Sequence, residues 1–230
     1  MLYLMFDADG TLYDFKATEK VSLRLLFEKW SIPYTEDNII LYESGNHKLW
    51  DQYEKGLITQ DFISHERFRL LFEALGIEGD QYEAGNFFID TLAQYGYMID
   101  GAREFLDWVT SKKDLFRNYI ITNGIARTQY GRFRNSGTIG MYEGIFISGE
   151  IGAQKPQKEF FDIVFRETGA DPARSIVIGD SEKSDIQGAV NAGIRSIFLD
   201  FSGKKSDLAT WSVSSFKELE ELLLEIDAEN

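Results

Sequence analysis

Five short apolar runs, each followed by turn residues and then by a helical pattern, most restrict what this chain can fold into. They read LYLMFD, NYIITNG, GIFISG, SIVIGD and RSIFLD along the sequence. Short apolar runs of this kind are typical of strands buried on both faces of a parallel sheet. The alternation of strand and helix therefore predicts an α/β fold with a doubly wound parallel sheet. Helices are expected at residues 102–111, 126–135, 157–169, 183–191 and 215–228.

The first two runs are about a hundred residues apart, far more than the dozen or so that a crossover helix requires. Residues 16–97 carry long patterns with the 3.6-residue period of amphipathic helices and no obvious strand. We interpret this segment as an inserted helical-bundle domain of four helices. The core domain would then consist of residues 1–15 and 98–230.

Composition excludes several classes of function. The 230 residues carry 38 acidic and 24 basic side chains, a formal net charge of −14, so no nucleic-acid polymer or anionic membrane is expected as a partner. The chain has no cysteine and two histidines, which excludes thiolate metal sites and three-histidine zinc sites. No stretch approaches the roughly 18 apolar residues of a membrane span and no signal segment is visible, so we expect a cytoplasmic protein.

A pair of carboxylates, Asp7 and Asp9, follows the first apolar run. If the extended geometry persists, side chains two residues apart point to the same side. Two close carboxylates are tolerated when a divalent cation lies between their oxygens or when one of them is protonated. Gly10 permits a sharp turn close to a ligand, and Thr11 can form a local hydrogen bond. The alternative is a polar exit from a strand into a turn, which is the commoner use of Asp-x-Asp-Gly.

Polar residues also follow the second and third apolar runs. Thr122, Asn123 and Gly124 offer a hydroxyl, an amide and backbone N–H groups that can bind an anion, although they also make a good turn. Lys155 precedes Pro156 at the start of a predicted helix. The proline directs the lysine away from the helical surface, which leaves its ammonium available for a phosphate. A solvated lysine is the alternative.

The fourth apolar run ends at Asp180, and Asp185 lies five residues further on, at the opening of a helix that Ser184 can cap. Such an acidic cluster can bind Mg²⁺ together with backbone, water and phosphate oxygens. Alternatively, Asp185 only interacts favourably with the helix dipole. Because ligands bind beyond the carboxyl ends of parallel strands, we expect these residues to lie in one site.

Taken together, FDADGTLYD, ITNG, GAQKP and GDSEKSD resemble the four motifs of the haloacid dehalogenase-like hydrolase superfamily, in the branch with a helical cap inserted after the first strand. The likeness spans essentially the whole chain and implies a Rossmann-like core with residues 16–97 as the cap. Within this branch, TNG, Gln129 and LWDQYEKGLIT are most similar to the pyrimidine-type 5′-nucleotidases.

The resemblance implies a Mg²⁺-dependent phosphatase in which Asp7 is the nucleophile and Asp9 the general acid and base. Dehalogenases of the superfamily lack the second aspartate, so Asp9 favours a phosphatase. The resemblance implies that Mg²⁺ is held by Asp7, the backbone carbonyl of Asp9 and Asp180, with Asp185 in support. The implied phosphate-binding residues are Gly10, Thr122, Asn123, Gly124 and Lys155, of which the lysine also belongs to the catalytic set.

The inserted segment is expected to exclude water from the site and to select the leaving group. Candidate substrate contacts are His47, Lys48, Trp50 and Arg67, although surface or packing positions are the ordinary alternatives for His47 and Trp50. The expected substrate is a small phosphorylated metabolite, first of all a nucleoside 5′-monophosphate. The alternatives are a sugar-phosphate or phosphoglycolate phosphatase, a phosphomutase, and, from another class, a non-catalytic phosphate-ligand or partner-binding module.

Overall fold

A six-stranded parallel sheet is the centre of the fold. The computed structural model describes residues 1–229. The strands are β1 (Leu2–Phe6), β2 (Phe116–Thr122), β3 (Gly144–Ile147), β4 (Ser175–Gly179), β5 (Arg195–Leu199) and β6 (Trp211–Val213). They lie in the order β3-β2-β1-β4-β5-β6, and every pairing is parallel. The parallel sheet predicted from the sequence is confirmed, and the five apolar runs are its first five strands.

The edge strand β6 was not predicted. It pairs with β5 over only three residues, and Trp211 and Ser212 are only partly buried. A run this short, with a serine at its centre, has neither the apolar continuity of a buried strand nor a clear alternation. Its position is determined by pairing with β5, which the sequence pattern does not encode.

Of the helices in the described part of the chain, five lie between β1 and β2, and the other five lie between or after the later strands. They are α1 (Phe15–Lys29), α2 (Glu36–Glu54), α3 (Gln60–Leu75), α4 (Gln81–Gln94), α5 (Ala102–Ser111), α6 (Ala126–Asn135), α7 (Ser148–Ile151), α8 (Lys158–Thr168), α9 (Gln187–Ala192) and α10 (Phe216–Ala228). The predicted helices 102–111 and 126–135 coincide with α5 and α6. The short helix α7 was not predicted.

The predicted helix 183–191 is two pieces. A single π-helical turn, Glu182–Ile186, precedes α9. Its cap is Ser181, whose hydroxyl accepts a hydrogen bond from the Ser184 N–H at 3.2 Å. The expectation that Ser184 caps this helix is therefore wrong, because Ser184 already lies inside the turn and its N–H is one of the groups that need a cap.

The chain divides into two compact units. The sheet unit contains Met1–Phe15, Tyr97–Gly124 and the residues from Ser136 onward, and the helical unit contains Lys16–Gly96 and Ile125–Asn135. Helix α6, placed by sequence in the core, packs within the helical unit on α4. A Cβ at Gly131 of α6 would lie 2.6 Å from the backbone oxygen of Ala93, so the two helices touch backbone to backbone.

Both faces of the sheet are covered by helices. On one face, Met5, Ile121 and Val177 pack against Phe160 and Phe161 of α8 in one buried cluster. On the other face, the ring of Phe6 meets Phe105 of α5 edge-on at 5.6 Å, and Phe105 stacks on Phe216 of α10 at 5.1 Å. Burial on both faces explains why the strands read as continuous apolar runs.

The helical unit has its own aromatic core and clear helix starts. Phe68 of α3 lies 5.3 Å from Phe88 of α4 and 5.9 Å from Tyr42 of α2, measured between ring centroids. Thr59 and Asp80 cap α3 and α4 with side-chain oxygens, which satisfies N–H groups that the helices leave unpaired. Over residues 1–229, no helix combines the length and the apolar character needed to cross a membrane.

We predict that Phe160→Ala lowers the free energy of unfolding of the sheet unit by about 3–5 kcal/mol, because it empties a fully buried site in the cluster under α8. Urea denaturation followed by circular dichroism measures this. The matched control is Phe62→Ala, since Phe62 is 45% exposed. A loss for Phe160→Ala no larger than for the control would contradict the assigned core.

Candidate active site

Two aspartates lie side by side because their strands are neighbours. Asp7 follows the last residue of β1, and Asp180 follows the last residue of β4. The Asp7 N–H donates to the Ile178 carbonyl at 2.9 Å, which continues the pairing of the two strands past the end of β1. Both side chains therefore stand at the carboxyl end of the sheet, where parallel sheets bind their ligands.

Lys155 is the centre of the polar cluster at this edge. Its Nζ donates to Asp7 Oδ1 at 2.6 Å, to Asp185 Oδ1 at 2.6 Å and to the Ile121 carbonyl at 2.8 Å. The side chain is 1% exposed. The alternative of a solvated lysine is wrong, because an ammonium has three donors and all three are bonded to buried protein oxygens.

Asn123 holds the backbone of Lys155. Its Nδ2 donates to the Lys155 carbonyl at 2.8 Å, and its Oδ1 accepts from the Lys155 N–H at 2.9 Å. Thr122 Oγ1 accepts from the Gly124 N–H at 2.9 Å, which closes the turn after β2. The Asn123 amide thus positions the lysine, a role that the sequence did not indicate.

Asp185 is completely buried against the end of β4. Its Oδ1 is bonded to Lys155, and its Oδ2 accepts from the Ser181 N–H at 3.1 Å. A Cβ at Gly179 would lie 2.2 Å from Asp185 Oδ2. Glycine at position 179 is therefore required for the carboxylate to occupy this place, and no sequence pattern singled it out.

The turn after Asp9 approaches Asp180 closely. Gly10 has a φ of +85°, and a Cβ there would lie 2.2 Å from Asp180 Oδ2. Thr11 Oγ1 donates to Asp180 Oδ1 at 3.3 Å. The expectation that Thr11 bonds locally is wrong, since its partner lies 169 residues later in the chain. Gly10 permits a close approach, as expected, and what it approaches is the carboxylate of Asp180.

The three aspartates that meet here can hold a metal ion. One oxygen of each of Asp7, Asp180 and Asp185 lies within 4.8 Å of the other two. Mg²⁺ prefers oxygen ligands and binds through few carboxylates together with water and phosphate. The donor set fits Mg²⁺. It does not include the Asp9 carboxylate, in agreement with the family resemblance, which implies only the backbone carbonyl of Asp9 as a ligand.

The pKa values of the charged groups in the cluster are strongly shifted. Burial, and after it the charge of Asp185, raises the pKa of Asp180 to about 7. Burial likewise raises the pKa of Asp7 well above its usual value, although the Lys155 ammonium opposes the shift. Burial alone would lower the pKa of Lys155, but the carboxylates of Asp185 and Asp7 raise it above its usual value. A divalent cation would offset this crowding of carboxylates, which is a second reason that the residues fit a metal.

The four candidate substrate contacts are all in the helical unit but differ in environment. His47 and Lys48 are exposed on α2, and His47 Nε2 is 4.0 Å from Asp51 Oδ2. Trp50 packs edge-on against Tyr53 at 5.6 Å. Arg67 on α3 is 3% exposed, with its guanidinium 4.7 Å from the Phe88 ring centroid. Gln129 on α6 is also buried in this unit.

Comparison with known proteins identifies the family of these motifs. A profile of haloacid dehalogenase-like hydrolases matches residues 3–193. The chain is 36% identical to the HAD-hydrolase YfnB of Bacillus subtilis over 99% of this chain and 96% of the relative. It is 33% identical to the pyrimidine 5′-nucleotidase YjjG of Escherichia coli, over 96% of this chain and 97% of that protein. For the pyrimidine 5′-nucleotidase PynA of Streptococcus pneumoniae the identity is 31%, over 94% and 92%.

A solved structure supports the same fold. The crystal structure of Bacillus subtilis YfnB bound to magnesium superposes with a TM-score of 0.90 at 34% identity, over 97% of this chain and 98% of that chain. Magnesium is thus described for a close structural relative.

We predict that Gly10→Ala abolishes the rise in melting temperature that Mg²⁺ causes, because the new Cβ displaces the Asp180 carboxylate. Thermal unfolding with and without Mg²⁺ measures this, since a ligand that binds the native state stabilises it. The matched control is Gly203→Ala, which has a similar φ of +82° but nothing within 4 Å of the added Cβ. Both variants lose about 1 kcal/mol from the positive φ. An equal Mg²⁺ response in both would contradict the prediction.

Proposed function

We propose that this chain hydrolyses nucleoside 5′-monophosphates with Mg²⁺ through an aspartyl-phosphate intermediate. The chain belongs to the haloacid dehalogenase-like hydrolase family and is a phosphatase. The observation that carries the proposal is the buried cluster of Asp7, Lys155, Asp185 and Asp180 at the carboxyl end of the sheet. It combines a fixed carboxylate with a set of oxygen ligands for a cation.

Asp7 is suited to act as the nucleophile. Its bond to Lys155 holds the carboxylate in one orientation at the strand end, and in-line placement is most of what phosphoryl transfer requires of a protein. In the first step an Asp7 oxygen forms a bond to phosphorus while the bond from phosphorus to the leaving oxygen breaks. The nucleophile thereby divides the hydrolysis into two easier displacements.

Asp9 is assigned the proton transfers. In the first step its carboxyl group gives a proton to the leaving oxygen, which would otherwise depart as an alkoxide. In the second step the Asp9 carboxylate takes a proton from the water that attacks phosphorus, which returns Asp7 to its free form. Asp7, Asp180 and the backbone carbonyl of Asp9, with Asp185 in support, would hold Mg²⁺, which would supply positive charge against the phosphoryl oxygens.

Phosphate binding is assigned to the groups around the turn after β2 and the turn after β1. Because the Asn123 side-chain amide is engaged with the Lys155 backbone, we assign its contribution to the backbone N–H, beside the Thr122 hydroxyl. The N–H groups of Gly124 and Gly10 are bonded to Thr122 Oγ1 and to the Tyr13 carbonyl, so we assign to these two glycines the close approach of the turns to the phosphate. Lys155 acts on the phosphoryl group through its charge. Its ammonium also keeps Asp7 in place.

Among the possible substrates we favour a nucleoside 5′-monophosphate, because YjjG and PynA, which match nearly the whole chain, are pyrimidine 5′-nucleotidases. The helical unit supplies groups suited to a base. Within residues 1–229, the buried Arg67 Nε and Nη2 and the buried Asn46 Oδ1 have no hydrogen-bond partner. The edge of a pyrimidine offers both acceptors and donors, so we propose that Arg67 and Asn46 recognise the leaving group.

We predict that Asp7→Asn lowers phosphate release from nucleoside monophosphates by at least about a thousandfold, because the amide cannot act as the nucleophile. The measurement is release of inorganic phosphate at saturating Mg²⁺, together with the melting temperature to show that the fold is intact. Acid-quenched wild-type enzyme should also carry hydroxylamine-labile phosphate, which the variant lacks.

The control for this experiment is Asp200→Asn. Asp200 directly follows β5 at the same edge of the sheet, but its carboxylate bonds to Ser202 and is outside the cluster. The phosphate release of the Asp200→Asn variant should stay within about twofold of wild type. Full activity of Asp7→Asn would overturn the mechanism and favour a role as a non-catalytic phosphate-binding module.

We predict that Arg67→Met lowers kcat/KM for pyrimidine nucleoside monophosphates about 10- to 100-fold, as expected for loss of a hydrogen bond from a charged donor, and leaves p-nitrophenyl phosphate within about twofold. The control is Arg69→Met on the same helix, because Arg69 is paired with Glu66 and Glu73 on the surface. If wild-type enzyme prefers sugar phosphates to nucleotides, the nucleotide assignment is wrong and the phosphatase assignment stands.

A further inference from the structure

We infer that Tyr13 is a positioning residue for Asp9: its buried hydroxyl fixes the turn that carries the general acid to a second loop of the sheet unit. The inference rests on the proposed function, because it concerns the proton that Asp9 gives to the leaving group. Tyr13 itself is assigned no contact with a reacting atom, and although it lies within the FDADGTLYD motif, no role has been given to it so far. Its side chain is completely buried.

The turn that carries Asp9 is closed by backbone bonds that all involve Tyr13 or its neighbour. The Gly10 N–H donates to the Tyr13 carbonyl at 2.9 Å, and the Tyr13 N–H donates to the Ala8 carbonyl at 2.9 Å. Asp9 and Tyr13 form an isolated β-bridge. Residues 8–13 are therefore one compact loop, and a displacement of Tyr13 displaces Asp9.

The outer end of this loop is held by side-chain hydroxyls. Tyr13 Oη forms a hydrogen bond with Thr138 Oγ1 and another with Tyr142 Oη, the latter at 2.9 Å. Ser136 Oγ lies 2.9 Å from Thr138 Oγ1 and extends the chain of hydroxyls. Thr138 is completely buried. Burial raises the pKa of the Tyr142 hydroxyl well above its usual value, so the network consists of neutral groups.

The partners of Tyr13 are themselves fixed to the sheet. Asn118 on β2 donates from Nδ2 to the Met141 carbonyl at 3.0 Å, and its own carbonyl accepts from the Glu143 N–H at 2.9 Å. Arg103 on α5 donates to the Ser136 carbonyl at 3.0 Å. The hydroxyl of Tyr13 thus connects the Asp9 loop, through residues 136–143, to β2 and α5.

This connection matters for chemistry because a general acid works only within hydrogen-bond reach of the leaving oxygen. Asp9 lies beyond the end of β1, so strand pairing does not fix it. A phenylalanine at position 13 keeps the buried ring and removes only the hydroxyl. The rate of reaction of a substrate with a poor leaving group, which needs a proton from the general acid, should then fall. The rate for a substrate with a good leaving group should change little.

The test compares phenyl phosphate with p-nitrophenyl phosphate, which have similar size but leaving groups of different basicity. In Tyr13→Phe, the ratio of kcat/KM for phenyl phosphate to that for p-nitrophenyl phosphate should fall about tenfold relative to wild type, with an unchanged Mg²⁺-induced rise in melting temperature. Thr138→Val, which removes the partner hydroxyl, should lower the same ratio. The control is Tyr119→Phe, another buried tyrosine of the sheet unit, which should leave it unchanged.

The variant Asp9→Asn distinguishes a failure of the inference about Tyr13 from a failure of the assignment of Asp9 as the general acid. If this variant lowers the ratio and neither Tyr13→Phe nor Thr138→Val does, the inference is overturned and the hydroxyl network is only structural, even if both variants melt at lower temperature. If Asp9→Asn itself leaves the ratio unchanged, the assignment of Asp9 as the general acid fails, and the inference fails with it.

Discussion

The buried ammonium of Lys155 is the interaction on which the rest of the site depends. It joins Asp7 after β1, the carbonyl of Ile121 in β2 and Asp185 after β4. Removing such charges from water costs several kcal/mol per ion, and only close, fully hydrogen-bonded geometry offsets the cost. Loss of the lysine would leave two buried carboxylates facing each other, so the site can exist only when all three segments are in place.

Close packing around the carboxylates makes the cluster rigid. Gly10 lies against Asp180, and Gly179 lies against Asp185, each at a distance that leaves no room for a side chain. Asn123 fixes the lysine backbone with both ends of its amide, and Tyr13 fixes the loop of Asp9. Electrostatic catalysis is most effective when dipoles and charges are already oriented before the reaction, and these contacts supply that orientation.

We propose different roles for the two units. The sheet unit holds the buried charged cluster to which we assign the action on a phosphoryl group. The helical unit holds a buried arginine among aromatic rings, whose chemistry suits recognition of one particular leaving group. Exposed candidates such as His47 and Lys48 are less suited to this role, because exposed groups remain fully hydrated and discriminate weakly between ligands.

The sequence by itself determined the parallel sheet, most of its helices and the residues of the candidate site, because apolar runs, helical periods and the positions of polar residues at strand ends are local properties of the chain. Only the tertiary structure decided what those residues contact. In the folded chain Lys155 is bonded to two carboxylates rather than to solvent, and Thr11 donates to Asp180. Asn123 holds the lysine backbone, and β6 pairs with β5 at the edge of the sheet. Each of these outcomes depends on distances between residues far apart in the sequence, which no local pattern contains.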